Sequence, residues 1–341
     1  MPEIINPFST TGIGSLPHKN SVEACNLIFK TFDIPFWPQL PMLNFKESML
    51  IQYSEGMPFL KIDTNTKTAW IIRDGSDELE RFYESYTENT KISISEDFAK
   101  GLHTFLKLIR GRRFKILKGH VTGPLTFTLG IKDNFGRYIY FDEELREISL
   151  MLLKAKVRWQ IDLLKQYSDY AIIFIDEPVL SSIGSSSYLG VSNEEVLRLL
   201  KELINTIDNA GAISGIHCCG RADWQQIMKS GVKIVSFDAF EYFKTFIIYH
   251  EEIKDFLKKG GYLALGIVPT SDAISFVDEQ YIFNLMSEEL KEFTRYGLTE
   301  FIRSRIILTP SCGTGSRSIE ETTKIFQLLI RLKEELTDLK L

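Results

Sequence analysis

Short apolar runs alternate with longer amphipathic ones almost from end to end of this 341-residue chain, and nothing else restricts its fold as strongly. An apolar run of about four to eight residues reads as a strand buried on both faces; recurrence every three or four residues reads as a helix. The strand-like runs fall at 10–16, 35–40, 116–123, 171–176, 212–219, 234–238, 262–268 and 305–309. Helical patterns lie between them, as at 143–167 and 194–209. In the second, Val196, Leu197, Leu199, Leu200, Leu203 and Ile204 supply the apolar face. A last helix is expected to begin at an N-cap on Ser318, with Glu320 and Glu321 in the first turn, where the helix dipole favours acids. Strands that alternate with helices call for parallel pairing. Eight of them predict an α/β fold, a single (β/α)8 TIM barrel over 1–341.

The ends of the runs carry a second regularity. They read Gly14-Ser15-Leu16-Pro17, Pro38-Gln39-Leu40-Pro41, Thr122-Gly123-Pro124 and Asp176-Glu177-Pro178, then His217-Cys218-Cys219-Gly220, Asp238, Val268-Pro269-Thr270 and Pro310-Ser311-Cys312-Gly313. Gly and Pro mark strand ends in any fold. The His, Cys and carboxylates need another reason, and a barrel gives one: its strand C-termini converge on one face, where chemistry sits. One stretch breaks the alternation. Residues 59–73 alternate apolar and polar around Thr64-Asn65-Thr66, which predicts a β-hairpin inserted between the second and third barrel strands. With the polar residues that follow, the insertion spans about 59–90 and is expected to act as a lid on the barrel mouth.

Composition excludes several classes. Lys and Arg number 40 against 45 Asp and Glu, for a net charge of −5, which argues against a main role in gripping nucleic acid or an anionic membrane. No run approaches the roughly 20 apolar residues that span a bilayer. The N-terminus lacks the pattern of a signal peptide. With four cysteines, two of them adjacent, reduced thiols in a cytoplasm are the expectation.

His217-x-Cys219 at a strand end, with Cys312 at the end of the last strand, is the sharpest chemical feature. Side chains two apart on a strand share a face, so His217 and Cys219 point together and Cys218 points away. Zinc takes imidazole nitrogen and thiolate sulfur, and a catalytic zinc keeps three protein ligands and one open position. The plainer alternative is a core histidine and two small buried thiols. Asp176-Glu177 ends the apolar run Ile172-Ile173-Phe174-Ile175, where unpaired charge is expensive; an ion pair with an inward cation is the plain alternative. Asp238, with Glu241 one turn on, offers a fourth metal ligand. Gly12-x-Gly14 lacks the rest of a dinucleotide fingerprint, and no Walker motif or nucleophile elbow occurs.

At these residues the chain resembles the catalytic, C-terminal barrel of cobalamin-independent methionine synthase, in the superfamily that also holds uroporphyrinogen decarboxylase. The resemblance covers nearly the whole chain. Thr11-Gly12-Ile13-Gly14-Ser15-Leu16-Pro17 is similar to the family's opening strand, which implies that Ile13, Gly14 and Ser15 hold an amino-acid substrate. Ile175-Asp176-Glu177-Pro178 is similar to its Asp-Glu-Pro segment, which implies substrate contacts from Asp176 and Glu177, with Asp176 on the amino group. His217, Cys219 and Cys312 fall where the family has zinc ligands, and Asp238 falls near its glutamate ligand, as a shorter acid. Two departures stand out. There is no room for the family's second barrel, and the stretch Gly266-Ile267-Val268-Pro269-Thr270-Ser271-Asp272 lacks the histidine that serves as proton donor.

The chain therefore resembles the short, single-barrel core methionine synthases. The resemblance implies a zinc-dependent thiol S-methyltransferase with Asp176 and Asp238 as catalytic residues and homocysteine or another small thiol as acceptor. The donor it implies is a methyl-corrinoid, free or on a protein, or methyltetrahydrofolate held with a partner. Three rivals stay open: a methyltransferase acting on coenzyme M, a uroporphyrinogen decarboxylase-like enzyme, and a non-catalytic barrel that binds zinc or a ligand. The Arg-rich opening motif of the decarboxylases is not seen near the N-terminus.

Overall fold

The computed structural model describes residues 4–185 and 188–338. Its strands are β1 (Leu60–Asp63), β2 (Thr68–Ile71), β3 (Phe114–Thr122), β4 (Lys132–Asp133), β5 (Ser168–Asp176), β6 (Ile213–Cys218), β7 (Ile234–Phe237), β8 (Tyr262–Val268) and β9 (Ile306–Pro310). Six of the eight runs read as strands form one all-parallel sheet, in the order β3-β5-β6-β7-β8-β9, curled into a half-barrel. The other two take part through single parallel bridges: Thr10 with Leu308 of β9, Ser15 with Gln39, and Phe36 with Lys118 of β3. Pro35 and Pro38 have no N–H to donate, so a regular ladder cannot run through 35–40. The bonds that do form include Leu16 N to Gln39 O at 2.9 Å, Gln39 N to Gly14 O at 3.0 Å and Lys118 N to Pro35 O at 2.9 Å.

Alternation along the strands divides the core in two. Ile13, Ile34, Ile116, Ile172, Phe174, Ile234, Ala264 and Ile307 form a small cluster on the inner face of the sheet. Their neighbours Leu117, Ile173, Val235, Leu263 and Leu308 join the larger core beneath the helices. The predicted helices are present as Glu143–Lys165 and Asn193–Asn209, although Leu197 is only half-buried while the other five apolar-face residues are buried. At the start of the last helix, Ser318 Oγ accepts from Glu321 N at 3.1 Å and Glu321 Oε2 accepts from Ser318 N at 2.8 Å, a reciprocal capping box.

β1 and β2 pair antiparallel from Leu60↔Ile71 to Asp63↔Thr68, as the insertion was expected to. Asp63 Oδ1 closes the turn by accepting from Asn65 N and Thr66 N. The short β4 adds in parallel to β2 and completes a three-stranded sheet. Among the described residues no helix is long and apolar enough to cross a membrane.

Candidate metal centre

His217 is the fifth residue of β6, Cys219 follows the strand, and Cys312 follows β9. Two strands separate β6 from β9 in the sheet. Curling nevertheless brings one ligand atom from each of His217, Cys219 and Cys312 within 4.8 Å of one another. Cys218 points the other way, as alternation requires; it is fully buried, and burial pushes its thiol up to about 12. His217 is 3 % exposed. Its Nδ1 lies 3.0 Å from Ser236 Oγ on the adjacent β7, which leaves Nε2 buried and without a partner. The Cys219 thiol is drawn down strongly, first by a hydrogen bond from Cys312 and then by His217, while Cys312 moves up in exchange. A buried imidazole nitrogen without a hydrogen-bond partner, on a histidine grouped with two thiols, fits the donor set of a zinc site with one place left open.

Asp238 stands outside this group. It is 9 % exposed, and its Oδ1 accepts from Glu241 N at 3.0 Å, capping the helix Ala239–Phe246. Burial pushes its carboxyl up to about 7. Glu241 is exposed and lines an outer groove between that helix and Glu279–Arg295.

A pocket of about 480 Å³ opens over the three donors. Ile13, Gly14, Ser15, Asp176, His217, Cys219 and Cys312 all line it. The turn at Ser15 is fastened across the molecule, with Thr314 N donating to Ser15 O at 2.8 Å and Gly315 N to Ser15 Oγ at 3.3 Å. Gly313 packs closely there: a Cβ on it would fall 2.2 Å from Ser15 Oγ and force that hydroxyl to move. Asp176 ends β5 in register with Thr122 and His217, and its Oδ1 is buried without a partner. Burial pushes its carboxyl up to about 6, with His217 and then Lys118 holding it down.

Glu177 is placed differently. It is fully buried, does not line the pocket, and caps the helix Pro124–Gly130. Oε1 accepts from Leu125 N at 2.9 Å; Oε2 accepts from Thr126 N at 2.8 Å and Thr126 Oγ1 at 2.7 Å. No residue of 59–90 lines the pocket either.

Gln39 lines the pocket and was not singled out as a site residue in the sequence. Its orientation follows from hydrogen-bond logic. Phe98 O can only accept, so Gln52 donates to it through Nε2 at 3.0 Å, and Gln52 Oε1 is left to accept from Gln39 Nε2 at 2.8 Å. That leaves Oε1 as the acceptor end of Gln39, a residue that lines the pocket. A neutral amide has no sequence signature; its place in Pro38-Gln39-Leu40-Pro41 at a strand end was the available signal.

Comparison with known proteins bears on the fold. No family model matches the sequence, and no curated protein matches it. Among solved structures, the chain is similar to a B12-independent methionine synthase from Shewanella sp. W3-18-1 in complex with selenomethionine. That match has 13 % identity over 97 % of this chain and 98 % of that one, with a TM-score of 0.59. A putative vitamin-B12-independent methionine synthase from Listeria monocytogenes matches with 12 % identity, the same coverage of both chains and a TM-score of 0.55. The likeness is one of fold. It spans 97 % of the chain and agrees with the family resemblance read from the strand-end motifs.

Proposed function

We propose that this chain is a zinc-dependent thiol S-methyltransferase that converts homocysteine to methionine. One observation carries the reading: the His217, Cys219 and Cys312 donors converge in the same pocket as Ile13, Gly14, Ser15 and Asp176. The full-length fold likeness supports it. We also read the three single bridges as closure of the sheet into a (β/α)8 barrel, the only arrangement that makes neighbours of β9 and β3 through 10–16 and 35–40.

His217, Cys219 and Cys312 would hold the zinc. Asp238 is assigned the fourth place in the resting protein, and taking it means giving up the bond from Glu241 N. Zinc, when bound, lowers the pKa of a ligand thiol, ordinarily near 8.5, so that a thiolate is available at neutral pH. The chain's own residues do the rest. Ser236 fixes the orientation of His217 through Nδ1. Asp176 and Gln39 Oε1 accept from the substrate ammonium, and the Ile13–Gly14–Ser15 backbone sets the depth at which the amino acid lies. Glu177 shapes this end indirectly, by fixing the turn that follows β3. The methyl donor is assigned to a methyl-corrinoid or to methyltetrahydrofolate held with a partner, since the stretch from Gly266 to Asp272 lacks the family's proton-donor histidine. Nucleic acid and membrane are not expected partners, and a cytoplasmic setting suits the free thiols.

The test is zinc per chain by elemental analysis, with and without homocysteine, on wild type and Cys312→Ala. One zinc in wild type that is lost in the variant is the expected result, followed by methyl transfer from methylcobalamin or methyltetrahydrofolate to homocysteine. Wild type without zinc, purified in the absence of chelator, overturns the proposal.

A further inference from the structure

Lys118 is an anomaly that the thiol chemistry leaves unexplained. It lies on β3 at a position facing the inside of the sheet, and it is fully buried. Its Nζ donates to Ile13 O at 2.5 Å and sits 4.4 Å from the centre of the Phe174 ring and 5.4 Å from that of Phe36. Aromatic faces and a carbonyl stabilise an ammonium. Taking a cation out of water is nevertheless expensive, and a methionine of similar length fills such a space without that cost. Burial pushes Lys118 toward its neutral form, and the charge of Asp176 opposes that and favours the ammonium. Ile13 and Asp176 are two of the residues that line the pocket. Lys118 therefore binds one side of the proposed amino-acid subsite and acts electrostatically on the other.

Resting on the homocysteine reading above, we propose that Lys118 is a specificity-determining residue that makes this pocket select zwitterionic amino acids over simple amines. Two physical effects act together. The ammonium already donates to the Ile13 carbonyl, so a ligand amine would have to share that acceptor with a cation. Held at Ile13, a residue of the pocket wall, the positive charge of Lys118 also offsets the negative charge of Asp176. A bare amine then adds an uncompensated positive charge next to Lys118. An amino acid brings its own carboxylate along with its ammonium, and the repulsion is offset within the ligand.

The experiment compares L-methionine with 3-(methylthio)propylamine, the same chain without its carboxylate, by calorimetry on zinc-loaded protein. Wild type is expected to prefer methionine. Lys118→Met and Lys118→Gln are both expected to shift the ratio of the two dissociation constants toward the amine by about tenfold or more. The glutamine variant keeps a donor for Ile13 O, so it separates charge from hydrogen bonding and provides a second neutral side chain should the first fail to fold. A role confined to packing predicts that both ligands weaken in parallel. Parallel weakening, or an unchanged ratio, overturns the Lys118 proposal while leaving methionine binding and the homocysteine reading in place. Wild type that binds neither ligand fails the homocysteine reading first, and Lys118 with it.

Discussion

Ser236 decides how His217 is presented, because its hydroxyl is the partner of Nδ1. Removing such a partner from a metal-ligating histidine typically costs 10–100-fold in affinity. Ser236→Ala is accordingly expected to weaken zinc binding by about 10–100-fold in competition with a chromophoric chelator. Stability of the metal-free protein should change by no more than about 1 kcal/mol, one neutral hydrogen bond. The donors themselves were legible in the sequence, because a period of two fixes which of His217, Cys218 and Cys219 share a face. The carboxylates were not. Asp238 and Glu177 both end up on helix N-termini, at Glu241 N and at Leu125 N and Thr126 N. Which amide meets a carboxylate depends on how the next helix is set down, and a strand-end motif does not record that. Lys118 and Gln39 escaped for a related reason: their meaning lies in partners on other strands.

At the scale of elements, the turn after β3 is a tightly specified junction. A Cβ at Gly123 would lie 2.1 Å from Glu177 Cδ, so Gly123→Ala forces an overpacked contact. We expect a loss of about 1–3 kcal/mol in urea unfolding. Glu177 also gives the protein a pH dependence of definite sign. Burial pushes its carboxyl up to about 7 in the fold, against an unfolded value near 4.3. The native state therefore holds a proton that the unfolded chain releases, so this contribution to stability falls as pH rises through about 4–7 and is flat above. Glu47 and Asp238 shift the same way, so the difference between wild type and Glu177→Gln isolates Glu177. Urea titrations from pH 4.5 to 8 should show a shallower slope in the variant; an identical slope would assign the proton elsewhere. Helices were readable, as was the Ser318 N-cap, though not the reciprocal bond from Ser318 N to Glu321 that makes it a box. The two-residue β4 was not, being too short to carry a period. The thin pairing of 35–40 had a visible cause in Pro35 and Pro38, which an apolar-run criterion ignores.

For the molecule as a whole, the alternation of runs was enough to give a parallel sheet under helices, since parallel strands need crossovers of helical length. How the sheet meets itself was beyond it, because register between distant strands depends on side-chain fit inside the curl. The meeting is made by single bridges, while β3 and β5–β9 pair by ladders. Hydrogen exchange read by mass spectrometry should therefore find the amides of 10–16 and 35–40 opening before those of β3 and β5. Equal protection would mean that side-chain packing, not backbone bonding, holds that seam. The same seam has a temporal side. His217 and Cys219 leave the ribosome long before Cys312, and the Ser15 turn waits for Thr314, 299 positions later. A growing chain thus spends most of its synthesis with an incomplete set of donors, and a prematurely terminated one never completes it. On the zinc reading proposed above, metal capture has to wait for Cys312, and a bound ion would certify a chain that has been translated through that residue and folded.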